Sequence, residues 1–497
     1  MMKKKRLTRR QFIKTVGAGA LGVGLASSLS PFKASGQPLT VRILQWRHFV
    51  PPYDTWFNNV FTPKWGEKNG VTVKVDNVGL AEIPGIAAAE AARVAAGQDP
   101  GHDMIQFISP PATFEPQAID HTDLIREAEK RVGKYIPLAQ LSTFNPVTKK
   151  NFGFSDNFVP DPVHYRGDLW KQASAAAGGP PTPVTYDDIL KVGRELKKMG
   201  NPVGFGLSQE IDTNMWLRSA MYSWGTGEQD AESNVVIDVP PFRARTLDVL
   251  KYVRTLYRET MFPGVFAWTA ATNNEEFLAG RISMAMNAIS ISRTAQANAA
   301  KGLKEGKPIS DPAVQMALNT EISERAPKGP EAARGLEHVM GVYLIWNTKK
   351  TAVIDKAKQL LLDLIESYDP DVAEKNGWGP GKFHGSQAYD YPTFENAISK
   401  EKRLAFLKDD PVSKAAGDRP DKLVSIETAF EWAHNVGWPG PSNAAIDEVF
   451  NTFIIPVMFA QVSLDLLKPE EAIDRAAAEM RKVYSKWRKA GLVGGTG

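Results

Sequence analysis

Short strand-like and helix-like patterns alternate along the N-terminal part of the chain, and this alternation restricts the folds that it can adopt. Residues 39–45 and 71–75 place apolar side chains at every second position, as half-buried strands do. Helical patterns over residues 56–68 and 82–96 follow these strands, and residues 102–107 form a further apolar strand. Strands that alternate with helices pair in parallel through right-handed crossovers. The sequence therefore predicts an open α/β sheet in this part of the chain.

The rest of the chain predicts a second unit that is richer in helices. The chain has 497 residues, whereas a single hydrophobic core commonly serves about 50–200 residues. Further strands are predicted over residues 163–168, 203–207 and 340–346, and long helices over 443–463 and 469–490. We therefore expect at least two domains, each built from strands and helices.

Residues 1–36 carry the pattern of an export signal. They contain eight basic side chains and no acidic one, and a Gly- and Ala-rich apolar stretch leads to small residues just before Gln37. Residues 8–14 read T-R-R-Q-F-I-K, which resembles the twin-arginine export motif. We therefore expect cleavage near Gln37 and a mature protein in the periplasm. Without this segment, 52 basic residues face 56 acidic ones, so the charge gives no support for nucleic-acid binding.

Signatures of catalysis and of metal binding are absent from the sequence. The chain has no cysteine, which excludes disulfides and thiolate-bound metals. It contains no phosphate loop, no nucleophile elbow and no zinc-binding helix motif, and its seven histidines are scattered. We therefore expect no catalytic residue, no cofactor and no metal. The sequence leaves open a pair of carboxylates that face each other across a cleft, as glycosidases use.

Five segments follow one another in the order and with the patterns of a known family. They are F-T-P-K-W with N-G-V-T-V over residues 61–73, A-A-E-A-A-R-V-A-A-G-Q-D-P-G-H-D over 88–103, the stretch 165–190, F-L-A-G-R-I-S-M over 277–284, and W-P-G-P-S at 438–442 with P-E-E-A at 469–472. Together they resemble the family 1 extracellular solute-binding proteins, which are the carbohydrate-type receptors of ABC importers. Arg166 stands where the family usually has Asn, and Ser290 lies near the position of a ligand-stacking Trp.

The resemblance implies an α/β fold of the periplasmic-binding-protein type II, in which two lobes are joined by a hinge and hold a ligand in the cleft between them. After the signal peptide at 1–36, residues 37–159 are expected to begin lobe 1 and residues 160–343 to begin lobe 2. Residues 344–385 are expected to return to lobe 1, and residues 386–497 to complete lobe 2 with helices. Each lobe is then discontinuous in sequence.

The position of the ligand can be predicted from the sheet. Ligands of open α/β sheets bind beyond the carboxyl ends of the strands, and a sugar needs apolar faces together with hydrogen-bonding groups. Twelve tryptophans are available, and several stand beside Gly or Pro in predicted loops. The predicted ligand-binding residues are Gln45, Trp46, His48, Tyr53, Tyr165, Asn214, Trp216, Trp224, Trp268, Asn287, Trp378 and Trp438.

The resemblance further implies a monomeric periplasmic receptor, which captures a sugar, an oligosaccharide or a polyol-like solute and delivers it to the permease subunits of an ABC importer. Two alternatives stay open at this point. One is an exported hydrolase or lyase that acts on carbohydrates, which would deplete its ligand over time. The other is a chemosensory ligand-binding protein, which neighbouring permease and ATPase genes would argue against.

Overall fold

The computed structural model describes residues 39–496, and the predicted twin-arginine signal peptide and its cleavage site lie outside these residues. The strands are β1 (Leu39–Trp46), β2 (Val71–Val78), β3 (Met104–Phe107), β4 (Phe144–Asn145), β5 (Lys150–Asn151), β6 (Phe154–Val159), β7 (Val163–Arg166), β8 (Met284–Met286), β9 (Thr320–Ile322), β10 (Gly335–Leu336), β11 (Val339–Ile345), β12 (Tyr391–Pro392) and β13 (Ala433–His434).

The α-helices are α1 (Pro52–Trp56), α2 (Thr62–Asn69), α3 (Ile83–Ala95), α4 (Thr122–Val132), α5 (Pro137–Thr143), α6 (Gly167–Ala177), α7 (Tyr186–Lys198), α8 (Ile211–Ser223), α9 (Phe242–Thr260), α10 (Thr272–Leu278), α11 (Ser290–Lys304), α12 (Pro312–Asn319), α13 (Thr351–Glu366), α14 (Pro370–Lys375), α15 (Gly381–Gly385), α16 (Lys400–Lys408), α17 (Pro411–Ala415), α18 (Ala429–Trp432), α19 (Ala444–Asn451), α20 (Ile454–Ser463) and α21 (Pro469–Lys489). A π-helical segment, Phe57–Phe61, joins α1 to α2.

A six-stranded mixed sheet forms the centre of the first lobe. Its strand order is β12-β6-β11-β3-β1-β2. β1 pairs in parallel with β2 and β3, because helical crossovers connect these strands. β11 lies antiparallel to both β3 and β6, since the chain reaches it from the second lobe. The carboxyl ends of β1 and β3 therefore meet at one edge of the sheet.

The second lobe is mainly helical around a small antiparallel sheet. The sheet has the strand order β8-β7-β9. The strand predicted over 203–207 is wrong, because only Val203 forms isolated bridges, to Met261 and Met284. Gly204 and Gly206 follow it, and glycine in a strand offers no side chain to pack across the sheet.

The two hydrophobic cores show which segments belong together. The first core takes most of its side chains from Val41 to Val159 and from Val339 to Ala433, and the second takes most of its side chains from the segments 163–291 and 436–493. A third, smaller cluster joins α11 and α12 to Ala416. The return to the first lobe was predicted over 344–385, and in the structure the segment packed in this core extends to Ala433. It extends further because β12 adds to the edge of the large sheet beside β6.

Three segments of the chain cross between the lobes side by side. They follow β6, precede β11 and follow β13. The backbone N–H of His338 donates to the carbonyl of Val159 at 2.8 Å, and that of Glu337 donates to the carbonyl of His434 at 3.0 Å. These hydrogen bonds tie the three crossovers together, and together they form the hinge.

One predicted helix is divided in the structure. The helix predicted over 443–463 consists of α19 and α20, because Phe453 between them adopts a left-handed backbone conformation with φ of 57°. Within residues 39–496 no single helix is long and apolar enough to cross a membrane. α19 and α20 together have that length and composition, but they are bent by 42° at their junction.

Candidate ligand-binding cleft

A histidine between two carboxylates lies at the hinge. His338 stands in the crossover before β11, and its Nδ1 lies 3.1 Å from Oδ1 of Asp161, which follows β6. Its Nε2 lies 3.6 Å from Oδ1 of Asp212, in the first turn of α8. All three side chains are buried. These three residues, called the acidic group below, connect the crossovers after β6 and before β11 to helix α8 of the second lobe.

The second lobe adds further polar groups beside Asp212. Glu210 caps α8 by accepting hydrogen bonds from the backbone N–H groups of Asp212 and Thr213, at 2.7 and 2.5 Å. Asn273 donates its side-chain amide to Oδ2 of Asp212 at 2.7 Å. These bonds hold both carboxylates at the N-terminal end of α8, where the helix dipole favours negative charge.

The electrostatics of this group follow from burial. Burial lowers the pKa of His338, but Asp161 and Asp212 outweigh it, so the net shift is upward. Burial and the neighbouring Asp161 raise the pKa of Asp212 to about 6, despite His338. Burial and Asp212 raise the pKa of Glu210 to about 8, against its hydrogen bonds to α8. The acidic group therefore holds protons near neutral pH.

The first lobe contributes an aromatic cluster from the carboxyl end of β1. The ring of Trp46 stacks on that of His48 at a centroid distance of 4.9 Å, and His48 contacts the rings of Tyr53 and Tyr389 at 4.5 and 4.6 Å. The backbone N–H of Val50 donates to Nδ1 of His48. Neutral His48 therefore carries its proton on Nε2, which points at Oδ1 of Asp390 at 3.4 Å.

Tyr389 connects this cluster with the acidic group at the hinge. Its side chain is fully buried, and its hydroxyl has no hydrogen-bond partner within residues 39–496. Burial and the carboxylates of Asp390, Asp212 and Asp161 raise the pKa of Tyr389 well above its usual value. The hydroxyl thus lies in the field of acids from the first lobe, the second lobe and the hinge.

A strained piece of backbone places Tyr389. Gln387 and Ala388 both adopt left-handed conformations, with φ of 55° and 61°. Residues other than glycine adopt such conformations at a cost of order 1–3 kcal/mol each, and they persist where surrounding contacts enforce them. Arg293, from α11 of the second lobe, donates two hydrogen bonds to the carbonyl of Gln387, at 2.9 and 2.7 Å. It also pairs with Asp410 at 2.5 Å.

Asp390 is supported from inside the first lobe. The buried ammonium of Lys382 contacts Asp156 and lies 3.5 Å from Oδ2 of Asp390. Asn157 donates its amide to Oδ1 of Asp390 at 3.1 Å. Burial raises the pKa of Asp390, but Lys382 and His48 outweigh it, so the net shift is downward. Asp390 is therefore a charged carboxylate with permanent partners.

The structure brings together Gln45, Trp46, His48 and Tyr53, which the sequence predicted as ligand-binding residues, at the carboxyl end of β1. Gln45 is fully buried, and neither atom of its side-chain amide has a partner in the described part of the chain. The indole N–H of Trp46 is likewise buried and unpartnered there. Asn287 belongs to the second lobe, where its amide donates to Asn274 near the start of α11.

Two predicted site residues on α8 lie instead in the core of the second lobe. Asn214 donates its amide to the carbonyl of Phe450 at 3.0 Å and accepts from Arg218 at 2.5 Å. Trp216 donates its indole N–H to the carbonyl of Gly206 at 2.6 Å. Internal partners already satisfy these side chains, and their assignment to the ligand site stays a prediction that this packing does not support.

The other predicted aromatic residues are also packed against protein. Trp224 contacts Tyr186 and Tyr252, Trp268 packs on Gly204, and Tyr165 contacts Trp170, all in the second lobe. Trp378 packs on Phe61, and Trp438 stacks on His434 with the guanidinium of Arg334 over its ring. Helix and loop packing occupies these rings, so the structure gives no reason to assign them to the cleft.

Sequence reasoning missed five residues of the candidate site, namely Asp161, Glu210, Asp212, His338 and Tyr389. Asp161 had a usable signal, because it follows a buried strand and stands between two prolines. The others come together only through the crossovers and the N-terminus of α8. Their separation along the chain hides the site from any local pattern.

Two lobes joined by three crossovers are the architecture of a periplasmic binding protein, and the predicted fold class is confirmed. A family model described as bacterial extracellular solute-binding protein matches residues 62–360. This match covers more than half of the chain, and the chain therefore belongs to that family. No curated protein matches it.

Solved structures with similar folds cover nearly all of the described residues. Maltose-bound T. maritima MalE3 has a TM-score of 0.64 at 16% identity, covering 90% of this chain and 100% of that one. The cyclic α-maltosyl-1,6-maltose binding protein from Arthrobacter globiformis has a TM-score of 0.63 at 14% identity, covering 90% and 99%. A solute-binding protein of an ABC transporter from Agrobacterium radiobacter, in complex with ribitol, has a TM-score of 0.63 at 15% identity, covering 90% and 99%.

Proposed function

We propose that this chain is a monomeric periplasmic receptor, which captures a sugar or polyol-like solute in the cleft between its lobes and delivers it to the permease subunits of an ABC importer. The observation that carries the proposal is a set of buried polar atoms that form no hydrogen bond within the described residues: the hydroxyl of Tyr389, the indole N–H of Trp46, the amide of Gln45 and Oδ1 of Asp212. A buried polar group without a partner costs about 1–3 kcal/mol. A ligand rich in hydroxyl groups would satisfy donors and acceptors of this kind.

The aromatic cluster supports the same class of ligand. A sugar presents C–H faces to aromatic rings and hydroxyls to polar groups, and Trp46, His48 and Tyr389 lie beside Asp390. The proteins with similar folds were solved with maltose and ribitol, among other ligands. Their identity to this chain is low, so the ligand class rests on the buried groups as much as on this likeness.

An exported carbohydrate hydrolase is the second candidate, because two carboxylates flank one histidine at the hinge. Asp212, with a pKa raised to about 6, could act as an acid while Asp161 acts as a base. We favour the receptor, because the family consists of solute-binding proteins. Incubation of the protein with each ligand that binds, followed by chromatography, distinguishes the two: a receptor returns its ligand unchanged.

A thermal-shift screen over sugars, polyols and sugar acids tests the proposed function. A ligand at 100 times its dissociation constant adds about 2.7 kcal/mol of apparent stability. Tyr389→Phe should weaken the binding of each hit while leaving the melting temperature of the free protein nearly unchanged. Tyr252→Phe is the matched control, because this hydroxyl donates to the carbonyl of Tyr186 at 2.6 Å inside the second lobe. Equal affinities of Tyr389→Phe and the parent protein would contradict the site.

Export in the folded state through the twin-arginine route is part of the same proposal. Replacement of Arg9 and Arg10 by Lys should leave the precursor in the cytoplasm, because the pathway reads this pair. Cell fractionation measures the outcome, and normal periplasmic accumulation of the variant would reject the route.

A further inference from the structure

We propose that the ligand of this receptor carries a positively charged amino group, as an amino sugar or an amino polyol does. The inference rests on the proposed function and narrows its ligand class. It starts from an imbalance of charge in the cleft. Acidic side chains reach the hinge from several elements, and the cations that balance them are few.

The hinge side of the cleft has three acids and no permanent cation. Asp161 and Asp212 flank His338 at 3.1 and 3.6 Å, and Glu210 caps the same helix that carries Asp212. Within residues 39–496 none of these three carboxylates forms an ion pair with a lysine or an arginine. One histidine can balance one carboxylate, so two negative charges are left over when all three acids are ionised.

The buried cations of the described residues near the cleft, Lys382 and Arg293, do not balance these acids. The ammonium of Lys382, in the first lobe, is shared between Asp156 and Asp390. Arg293 is also committed, since its guanidinium binds Asp410 and the carbonyl of Gln387. A positive charge that enters the cleft must therefore come with the ligand.

A second, independent observation is that two buried polar atoms near these acids lack hydrogen-bond partners within the described residues. The hydroxyl of Tyr389 is fully buried and has no partner among the described residues, and Oδ1 of Asp212 also makes no hydrogen bond there. An ammonium group has three N–H donors and no acceptor, and its hydrogen bonds to carboxylates are charge-assisted and short. It fits the surplus of acceptors at Asp212 and Asp161, and the oxygen of Tyr389 can accept as well.

The raised pKa values of two acids at the hinge are consistent with a ligand that carries an ammonium group. Burial raises the pKa of Asp212 to about 6 and that of Glu210 to about 8. In the free protein, bound protons therefore neutralise part of the negative charge of these carboxylates. The groups that face His338 are Asp161 after β6, His164 on β7, and Glu210 and Asp212 at the start of α8. An ammonium group that entered here would lower the pKa of these acids, and the complex would release protons.

Calorimetric titration with matched sets of compounds tests the proposal. The sets are glucosamine with glucose and N-acetylglucosamine, galactosamine with galactose and N-acetylgalactosamine, and 1-amino-1-deoxysorbitol with sorbitol. At pH 7.5 the amino member of at least one set should bind about tenfold or more tightly than its neutral counterparts, as one charge-assisted hydrogen bond provides. Its binding heat should also depend on the ionisation enthalpy of the buffer, because protons leave the site.

Asp212→Asn should bring the preference for the amino member down to about twofold or less, since it removes a charge and keeps the shape of the side chain. Asp123→Asn is the control, because this exposed side chain in α4 lies on the surface of the first lobe. If Asp212→Asn does not fold, Asp161→Asn takes its place with the same expected loss of preference.

The outcomes separate this inference from the proposed function. Equal or tighter binding of the neutral members overturns the amino-group inference and leaves the sugar receptor intact. A preference that persists in the folded Asp212→Asn or Asp161→Asn variant also overturns it. If no member of any set binds, and no neutral sugar or polyol shifts the melting temperature, both the inference and the proposed function are rejected.

Discussion

Two buried acidic groups, one inside the first lobe and one at the hinge, differ in the cation that balances them. In the first lobe, Asp156 and Asp390 share Lys382, which contacts both. At the hinge, Asp161 and Asp212 share only His338. A buried lysine supplies a permanent partner, whereas a histidine titrates near neutral pH. The first group therefore contributes to the stability of the fold, whereas the protonation of the second can change when a ligand binds in the cleft.

The pKa shifts of one acid from each group make the same contrast. Burial raises the pKa of Asp390, but Lys382 and His48 reverse the shift, so this carboxylate stays charged. Burial raises the pKa of Asp212 to about 6, and His338 does not reverse it. Burial also raises the pKa of Asp156 against the neighbouring Lys382, so within the first lobe the lysine fully offsets burial only at Asp390.

Removal of the lysine should have the largest effect. Lys382→Met leaves Asp156 and Asp390 buried without a cation, and breaking a buried pair in this way costs about 3–5 kcal/mol. Urea denaturation at pH 7 measures the loss. Lys402→Met is the control, because its pair with Asp369 and Asp371 is partly exposed and such pairs contribute about 0–1 kcal/mol. A loss below 1 kcal/mol for Lys382→Met would remove the distinction between the two groups.

Asp161→Asn should have a smaller effect that depends on pH. The pKa of His338 is raised in the folded state, so its contribution to stability is present below its usual pKa of about 6.5 and is lost as the pH rises through the folded value. The variant should therefore lose about 1–2 kcal/mol at pH 5.5, where a charged hydrogen bond is broken, and less at pH 8. Thermal or urea unfolding at the two pH values measures this. Equal losses at both would assign His338 no titrating role.

Glu210→Gln should change stability in the opposite direction. The pKa of Glu210 rises from 4.5 to about 8 on folding, so ionisation of the unfolded chain increasingly favours unfolding as the pH rises from 4.5 to 8. Gln has no such penalty. Relative to the parent protein, the variant should gain stability over this range, by at least about 1 kcal/mol at pH 8. A pH-independent difference would show that Glu210 is charged in the folded protein.

Tyr389→Phe should have the smallest effect on the free protein. The hydroxyl has no partner in the described structure, so its removal breaks no hydrogen bond, and the free energy of unfolding should change by less than about 0.5 kcal/mol. Denaturant titration without ligand checks this value. A loss of about 1–2 kcal/mol would reveal a partner inside the protein and would remove Tyr389 from the site.

Trp46 and Trp216 show how far the sequence could predict the site. Both were predicted to bind ligand, and both are buried. The indole N–H of Trp216 reaches the carbonyl of Gly206, whereas that of Trp46 has no partner within residues 39–496. The residue type and its place in a pattern are alike for the two. The indole N–H of Trp378 is also unpartnered there, although that ring packs on Phe61, so residue type and a missing partner do not by themselves assign a tryptophan to the ligand.

The sequence by itself determined the parts of this protein that depend on neighbours along the chain. Period-two and helical patterns predicted β1, β2, α3 and the parallel pairing of the first strands, because short-range periodicity fixes which face of an element is apolar. The export signal and the resemblance to solute-binding proteins were also visible in local segments. The placement of Trp46 and His48 at the end of β1 followed from the same reasoning.

Only the tertiary structure decided what the cleft contains. The chain leaves β6 and enters β11 side by side, and α8 begins next to these two crossovers. This is why Asp161, Asp212 and His338 lie together. Tyr389 stands against His48 at the end of a left-handed turn that Arg293 holds from the other lobe. The net charge of a buried group depends on the side chains of several elements that are far apart in sequence. It exists only once the crossovers have brought those elements together.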